Sequence, residues 1–293
     1  MKKWILLMIL VFAKGQTVSA IDITVKPYLG GGLGIARQGA GSDYVGTCIQ
    51  YICKDTKNKT ILYSAGEGLK VGLGIDVGLS DNLSIEPVIG YSKGLEKVVD
   101  KTDYRYYYKS PYYPYPVYEN SYISSTKKST SFFPFSMTIK VRAKKGAFTP
   151  YAGIGPTLVL LAKSIGKYEK KDRLNGEIVK REEETTHKMG LGLHGVAGTN
   201  YNLSENLAFF FQVRADQLSL KPSKGKVTKY TVNGVDKLPT LDVSERETIY
   251  KDDTGGYVYN ANQPSVENAY PLAASSVAIQ IGGCYKFDFG GRR

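Results

Sequence analysis

The chain has 293 residues, 42% of them hydrophobic, and 39 Lys and Arg against 27 Asp and Glu give a formal charge of +12. No stretch reaches the roughly 20 apolar residues that a membrane-crossing helix needs, so any passage through a bilayer must use strands. The basic balance comes without a helical or stacking-sheet motif for nucleic acid, which excludes nucleic acid as a partner.

Residues 1–20 read as a cleaved signal peptide. Lys2 and Lys3 precede the apolar run Trp4 to Ala13, and Val18-Ser19-Ala20 supplies small residues before a cut. Its removal takes three lysines and lowers the formal charge to about +9. The remaining chain is long enough for one domain, residues 21–289, with a short basic tail at 290–293.

Eight segments alternate with period two, the signature of strands. They are Ile23 to Ile35, Leu69 to Ser80, Leu83 to Ser92, Phe133 to Ala143, Phe148 to Ala162, Met189 to Leu203, Leu207 to Asp216 and Val277 to Phe289. In the second, Leu69, Val71, Leu73, Ile75, Val77 and Leu79 alternate with Lys70, Gly72, Gly74, Asp76, Gly78 and Ser80. Charged residues make up 23% of the chain, yet none falls on the apolar faces of these segments. A charge facing lipid near mid-membrane costs about 2–4 kcal/mol, so that absence is what a barrel in a bilayer requires. The opposite faces hold glycine with Lys26, Lys70, Asp76, Glu86, Lys140, Arg142, Arg214, Asp216, Lys286 and Asp288. Six positive and four negative groups in so narrow a bore are expected to pair into a plug, with Lys140 and Arg142 near Glu86.

The connections alternate in length. Leu79-Ser80-Asp81-Asn82-Leu83, Lys144 to Ala147 and Leu203-Ser204-Glu205-Asn206-Leu207 are short, while 36–68, 92–132, 163–188 and 216–276 are long. The pattern predicts an all-β fold: an eight-stranded antiparallel up-and-down transmembrane β-barrel with three short periplasmic turns and four long external loops.

Pro27-Tyr28-Leu29-Gly30-Gly31-Gly32, and its echo Pro150-Tyr151-Ala152-Gly153-Ile154-Gly155, resemble the rising strands of small OmpA-like and opacity-like outer-membrane barrels. The ending Tyr285-Lys286-Phe287-Asp288-Phe289 is similar to the C-terminal aromatic signal of that family. The resemblance implies Tyr285, Phe287 and Phe289 as residues read by the barrel-assembly machinery. It also implies residence in the cell outer membrane of a Gram-negative bacterium, among lipid and lipopolysaccharide. Gly290-Gly291-Arg292-Arg293 after the aromatic end departs from the family pattern, and no peptidoglycan-binding domain follows.

Function is then expected on the loops. Tyr104, Tyr106, Tyr107, Tyr108, Tyr112, Tyr113, Tyr115 and Tyr118, broken by prolines, offer rigid amphipathic contacts to a host or cell-surface ligand; the competing reading is a packed low-complexity loop. Cys48 and Cys53 leave a local disulfide and two free thiols equally open. Chemistry is thinly represented. His187 and His194 are the only histidines, and the spacing places no Ser or carboxylate partner beside either, so no catalytic residue, cofactor or metal is expected. The reading is a structural surface protein with loop-mediated adhesion or antigenicity. A narrow passive channel and a secreted lipocalin-type barrel are its alternatives.

Overall fold

The computed structural model describes residues 22–35, 38–49, 52–108, 117–143, 146–254 and 259–288. Its strands in chain order are β1 (Asp22–Gly34), β2 (Gln38–Ile49), β3 (Ile52–Tyr63), β4 (Gly68–Gly78), β5 (Leu83–Gly94) and β6 (Lys97–Tyr108). Then come β7 (Val117–Arg142), β8 (Phe148–Asp172), β9 (Ile178–His187), β10 (Gly190–Asn202), β11 (Leu207–Leu220) and β12 (Pro222–Val232). The short β13 (Val235–Asp236), β14 (Glu247–Lys251), β15 (Ser265–Asn268) and β16 (Leu272–Ala273) lead to β17 (Ser276–Asp288).

Eight of these close a ring. β1 pairs with β4, β4 with β5, β5 with β7, β7 with β8, β8 with β10, β10 with β11, β11 with β17, and β17 returns to β1, each antiparallel. Full closure leaves no unpaired edge in the ring, the condition for strands in hydrocarbon. The eight alternating sequence segments are these eight strands.

Side chains in the ring are sorted by polarity, but inside out relative to a soluble protein. Ile139, Ile154, Leu191 and Ile279 point outward at 55%, 65%, 76% and 55% exposure, while Lys26, Lys140 and Gln280 are fully buried. The lipocalin-type alternative is thereby overturned, since it needs the leucines and isoleucines inside. At one point the alternation is interrupted. Phe133 pairs with Leu161 and Pro134 with Val159, so Leu160 is an extra residue, and Leu160 and Leu161 both face out. Such a bulge bends the strand locally.

The glycine face has a packing reason. Tyr28 is in register with Gly72, and Gly72 with Gly90. A Cβ at Gly72 or Gly90 would lie 2.5 or 2.6 Å from the Tyr28 hydroxyl. Phe210 lies over Gly282 in the same way, at 2.6 Å from a Cβ built there. Large rings inside a narrow bore thus occupy the space that missing side chains leave.

Two turns at one end are chemical copies. Leu79 and Ser80 donate their N–H groups to the Leu83 carbonyl, and Leu203 and Ser204 donate theirs to that of Leu207. The Ser80 and Ser204 hydroxyls accept from the Leu83 and Leu207 N–H at 3.1 Å each.

At the other end the long connections differ from simple loops. β7 and β8 run 26 and 25 residues and continue well beyond the apolar band. There they join β6, β2 and β3 on one side and β9, β12, β14 and β15 on the other. Outside hydrocarbon neither face has to be apolar, so apolar alternation disappears while backbone groups still need partners. That is why the sequence reads there as loop and the chain forms a projecting sheet.

Candidate functional site

The barrel interior is built in layers. Nearest the short turns, β1 presents Lys26, β5 Glu86, β4 Asp76 and β7 Lys140. Lys26 Nζ lies 3.4 Å from Glu86, Lys140 bridges Glu86 and Asp76 (the latter at 3.6 Å), and all four are buried. The Lys26 ammonium also sits 4.7 and 4.5 Å from the ring centres of Tyr151 and Phe210. Buried charges persist only when paired in this way.

A second layer lies above. Lys70 Nζ contacts Asp216 at 2.9 Å and donates to the Ser276 hydroxyl at 2.6 Å. Arg214 holds the other Asp216 oxygen at 2.8 Å and reaches Ser136 and Thr157 at 3.2 and 3.3 Å. Between the layers, Tyr151 donates to Gln212, and Gln212 to Gln280. His194 is clasped by the hydroxyls of Thr138 and Thr157 at 2.8 and 2.9 Å. The cavity left near Lys70 and Arg214 measures about 20 Å³, room for about one water.

Higher still the interior turns apolar. Tyr63, Phe132, Val159, Leu218, Leu220 and Ala274 form a cluster with exposures of 5% or less. Segments 63–66 and 272–276 meet here, with Ala65 N–H donating to the Ala273 carbonyl and Ser64 Oγ to that of Ser275. Above the cluster runs a hydroxyl chain: Tyr63 to Thr130 at 3.0 Å, Thr130 to Ser164 at 2.8 Å, and Ser164 to His187 at 2.8 Å. Two ionic layers thus lie under an apolar one, and these side chains link strands across the described interior.

Of the ten charges expected inside, Lys26, Lys70, Asp76, Glu86, Lys140, Arg214 and Asp216 are brought together. Arg142 is not: it reaches the carbonyls of Ser80 and Asp81 at 3.2 Å and braces the turn, because β7 ends there and its side chain clears the bore. Lys286 lines an open pocket of about 260 Å³ at the same mouth, beside Arg142 and Asn202. The Asp288 side chain lies outside the described residues. Cys284 is buried in the interior against Ala208 and Phe210.

Cys48 and Cys53 are directly opposed in the β2–β3 register, with side chains outside the described residues. Tyr104 and Tyr106 belong to β6, and Tyr104 packs on Tyr122 at 5.6 Å between ring centres. Tyr107, Tyr108 and Tyr118 lie on paired strands with side chains outside the described set, to which Tyr112, Tyr113 and Tyr115 do not belong at all. Tyr285 and Phe287 face outward with ring centres 4.8 Å apart, and Phe289, like 1–20 and 290–293, lies outside the described residues.

One expectation is corrected. The β8–β9 hairpin folds Ser164 against His187, a partner that spacing alone did not place. Ser164 is 1% exposed and also held by Thr130, and among the described residues no carboxylate orients the imidazole. The sequence reading also missed the apolar cluster, although Phe132, Leu218 and Leu220 stand in or beside the alternating segments.

No curated protein matches the chain. Among solved structures, the outer membrane protein OprG from Pseudomonas aeruginosa aligns with 92% of this chain and 97% of its own, at 12% identity and a TM-score of 0.42. A major outer membrane protein from Thermus thermophilus aligns with 92% of this chain and 100% of its own, at 11% identity and a TM-score of 0.30. The family model of the outer membrane protein beta-barrel domain matches residues 5–235, most of the sequence. With its lipid-facing apolar wall and closed ring, the chain belongs to the outer membrane protein beta-barrel domain family and resides in the outer membrane.

Proposed function

We propose that the protein is a non-conducting, non-enzymatic surface barrel that acts through its projecting sheet. It stands with the turns at 80–82 and 204–206 toward the periplasm, and the sheet formed by β2, β3, β6, β9, β12 and the far halves of β7 and β8 outward. Residues 1–20 are its export signal, and the mature chain starts at Ile21. The single observation supporting this reading is the filling of the bore: ion-paired layers around Glu86 and Asp216, topped by the apolar cluster around Phe132 and Leu220. A scaffold so sealed has its accessible chemistry on the sheet, where Tyr104 stacks on Tyr122 and charged rows are exposed.

The test is planar-bilayer recording of the refolded barrel, paired with labelling of a cysteine introduced at Tyr104 on intact cells. Absence of steady conductance and labelling from outside are expected. A stable open state would replace this reading with the narrow passive channel.

A further inference from the structure

Where the projecting sheet curves over the apolar cluster it encloses a blind cup of about 400 Å³. Tyr63, Val99 and Leu272, members of the cluster or packed on it, form the floor, so the cup is closed toward the barrel. Its volume lies at the lower end of the range for small-molecule sites, roughly 300–1,000 Å³.

Its wall has an arranged polarity. Lys128 on β7, Gly166 on β8 and Glu183 on β9 stand in one register row. With strands about 4.8 Å apart, the two charged residues straddle a slot that the glycine leaves open. Lys128 makes no hydrogen bond or ion pair with a described residue, and burial, partly offset by Glu183, holds its ammonium below the ordinary lysine range. Beside it, His187 has Nε2 on Ser164 while its buried Nδ1 has no partner. Burial, then the Lys128 charge, push that imidazole down to about 4, so it is neutral at pH 7. Across the slot Glu183 accepts long hydrogen bonds of 3.4 Å from the Tyr250 hydroxyl on one oxygen and from Arg181 on the other, and Tyr270 stands 71% exposed at the rim. Burial, then Glu183 and Glu267, raise the Tyr250 phenol.

These groups ask for three things in one ligand. Lys128 calls for an anion, and a neutral His187 carrying its proton on Nδ1 would donate to it. Glu183 and Thr185 call for hydroxyl donors a few ångströms away. Tyr250 and Tyr270 offer flat faces to a ring. A phosphate would bring more charge against Glu183 and Glu267, and a plain fatty acid would bring no hydroxyl to Glu183 and Thr185.

The geometry points to a binding site for an acidic saccharide, its carboxylate on Lys128 and His187, its hydroxyls on Glu183 and Thr185, its ring against Tyr250. This rests on the reading of the sheet as the working surface. It is independent of whether the bore conducts.

The experiment is saturation-transfer NMR and calorimetry on the detergent-folded full chain, with two acids in separate arms. N-acetylneuraminic acid stands for animal glycans, and galacturonic acid for bacterial polysaccharide. Binding of either is expected, at least tenfold tighter than neutral galactose. Lys128→Met should weaken it at least tenfold. Gly166→Leu should do the same by filling the slot, and it should fold, because a Cβ there meets only the Glu183 carbonyl at 3.9 Å. The gel shift on heating checks folding of both variants. The assignment is overturned if neither acid binds, if galactose binds equally well, or if binding survives in either folded variant. Steady bilayer conductance would instead remove the non-conducting reading and leave this one standing.

Discussion

Lys70 of β4 meets Asp216 of β11 at 2.9 Å across the bore, although three steps around the ring and 146 residues of sequence separate them. A contact of this kind ties opposite walls together. It adds a cross-brace that ladder hydrogen bonds, which link only neighbouring strands, do not supply. One layer below, Lys26 of β1 and Glu86 of β5 link strands two steps apart, and Lys140 of the adjacent β7 shares the carboxylate.

Glu86 is the sole described carboxylate paired with Lys26 and shares Lys140 with Asp76. Glu86→Gln should therefore leave two buried ammonium groups under-compensated. Breaking a buried pair by removing one partner costs about 3–5 kcal/mol. A lowered urea midpoint of the folded barrel, followed by the loss of its gel shift, is the expected outcome. A midpoint equal to wild type would show the cluster to be idle.

Met137 is the middle one of five outward residues along β7, from Phe133 to Val141. Met137→Arg should destabilise the folded state in lipid by about 2–4 kcal/mol, whereas Leu203→Arg, beside the turn, should cost about 0–1 kcal/mol. Equilibrium unfolding in vesicles measures both. Equal costs would contradict the placement of the band.

Gly72→Val should displace the Tyr28 ring, because even a Cβ meets its hydroxyl at 2.5 Å and the Ile89 carbonyl at 2.6 Å. Overpacking of this kind costs about 1–3 kcal/mol. Tyr28→Ala in the same chain removes the obstacle at the hydroxyl, so the double variant should lose less than the sum of the two singles. Strict additivity in unfolding measurements would argue against the ring-over-glycine arrangement.

His187 lies in the projecting sheet with its imidazole lowered from 6.5 to about 4 by burial and then by Lys128. Below pH 6.5 the unfolded chain takes up a proton that the folded site refuses until about pH 4, so stability falls with pH across that window. Hydrogen exchange in β9 should accelerate between pH 6.5 and 4 once the intrinsic exchange rate is divided out. His187→Gln should flatten the profile. A wild-type profile already flat there would show the site to be solvent-like.

Much of the ring was legible because lipid enforces a rule on every residue. Outward positions must be apolar, so Leu69 to Leu79 and Leu83 to Tyr91 announce both their strand and their facing. The repeated Leu-Ser-x-Asn-Leu turns mark where the chain reverses. The projecting sheet was not legible. Ser121 to Thr130 and Lys163 to Asp172 turn small polar groups such as Ser121, Ser124, Thr130 and Ser164 to their buried side, and pairing of such strands is decided by backbone partners that sequence does not display.

The sequence by itself determined which residues face lipid and which face inward, because period-two geometry and the cost of charge in hydrocarbon leave one solution. Only the tertiary structure decided who meets whom across the bore. Lys70 finds Asp216, Arg142 leaves the cluster for a turn, and Ser164 reaches His187, because closing the ring fixes distances that no spacing along the chain encodes.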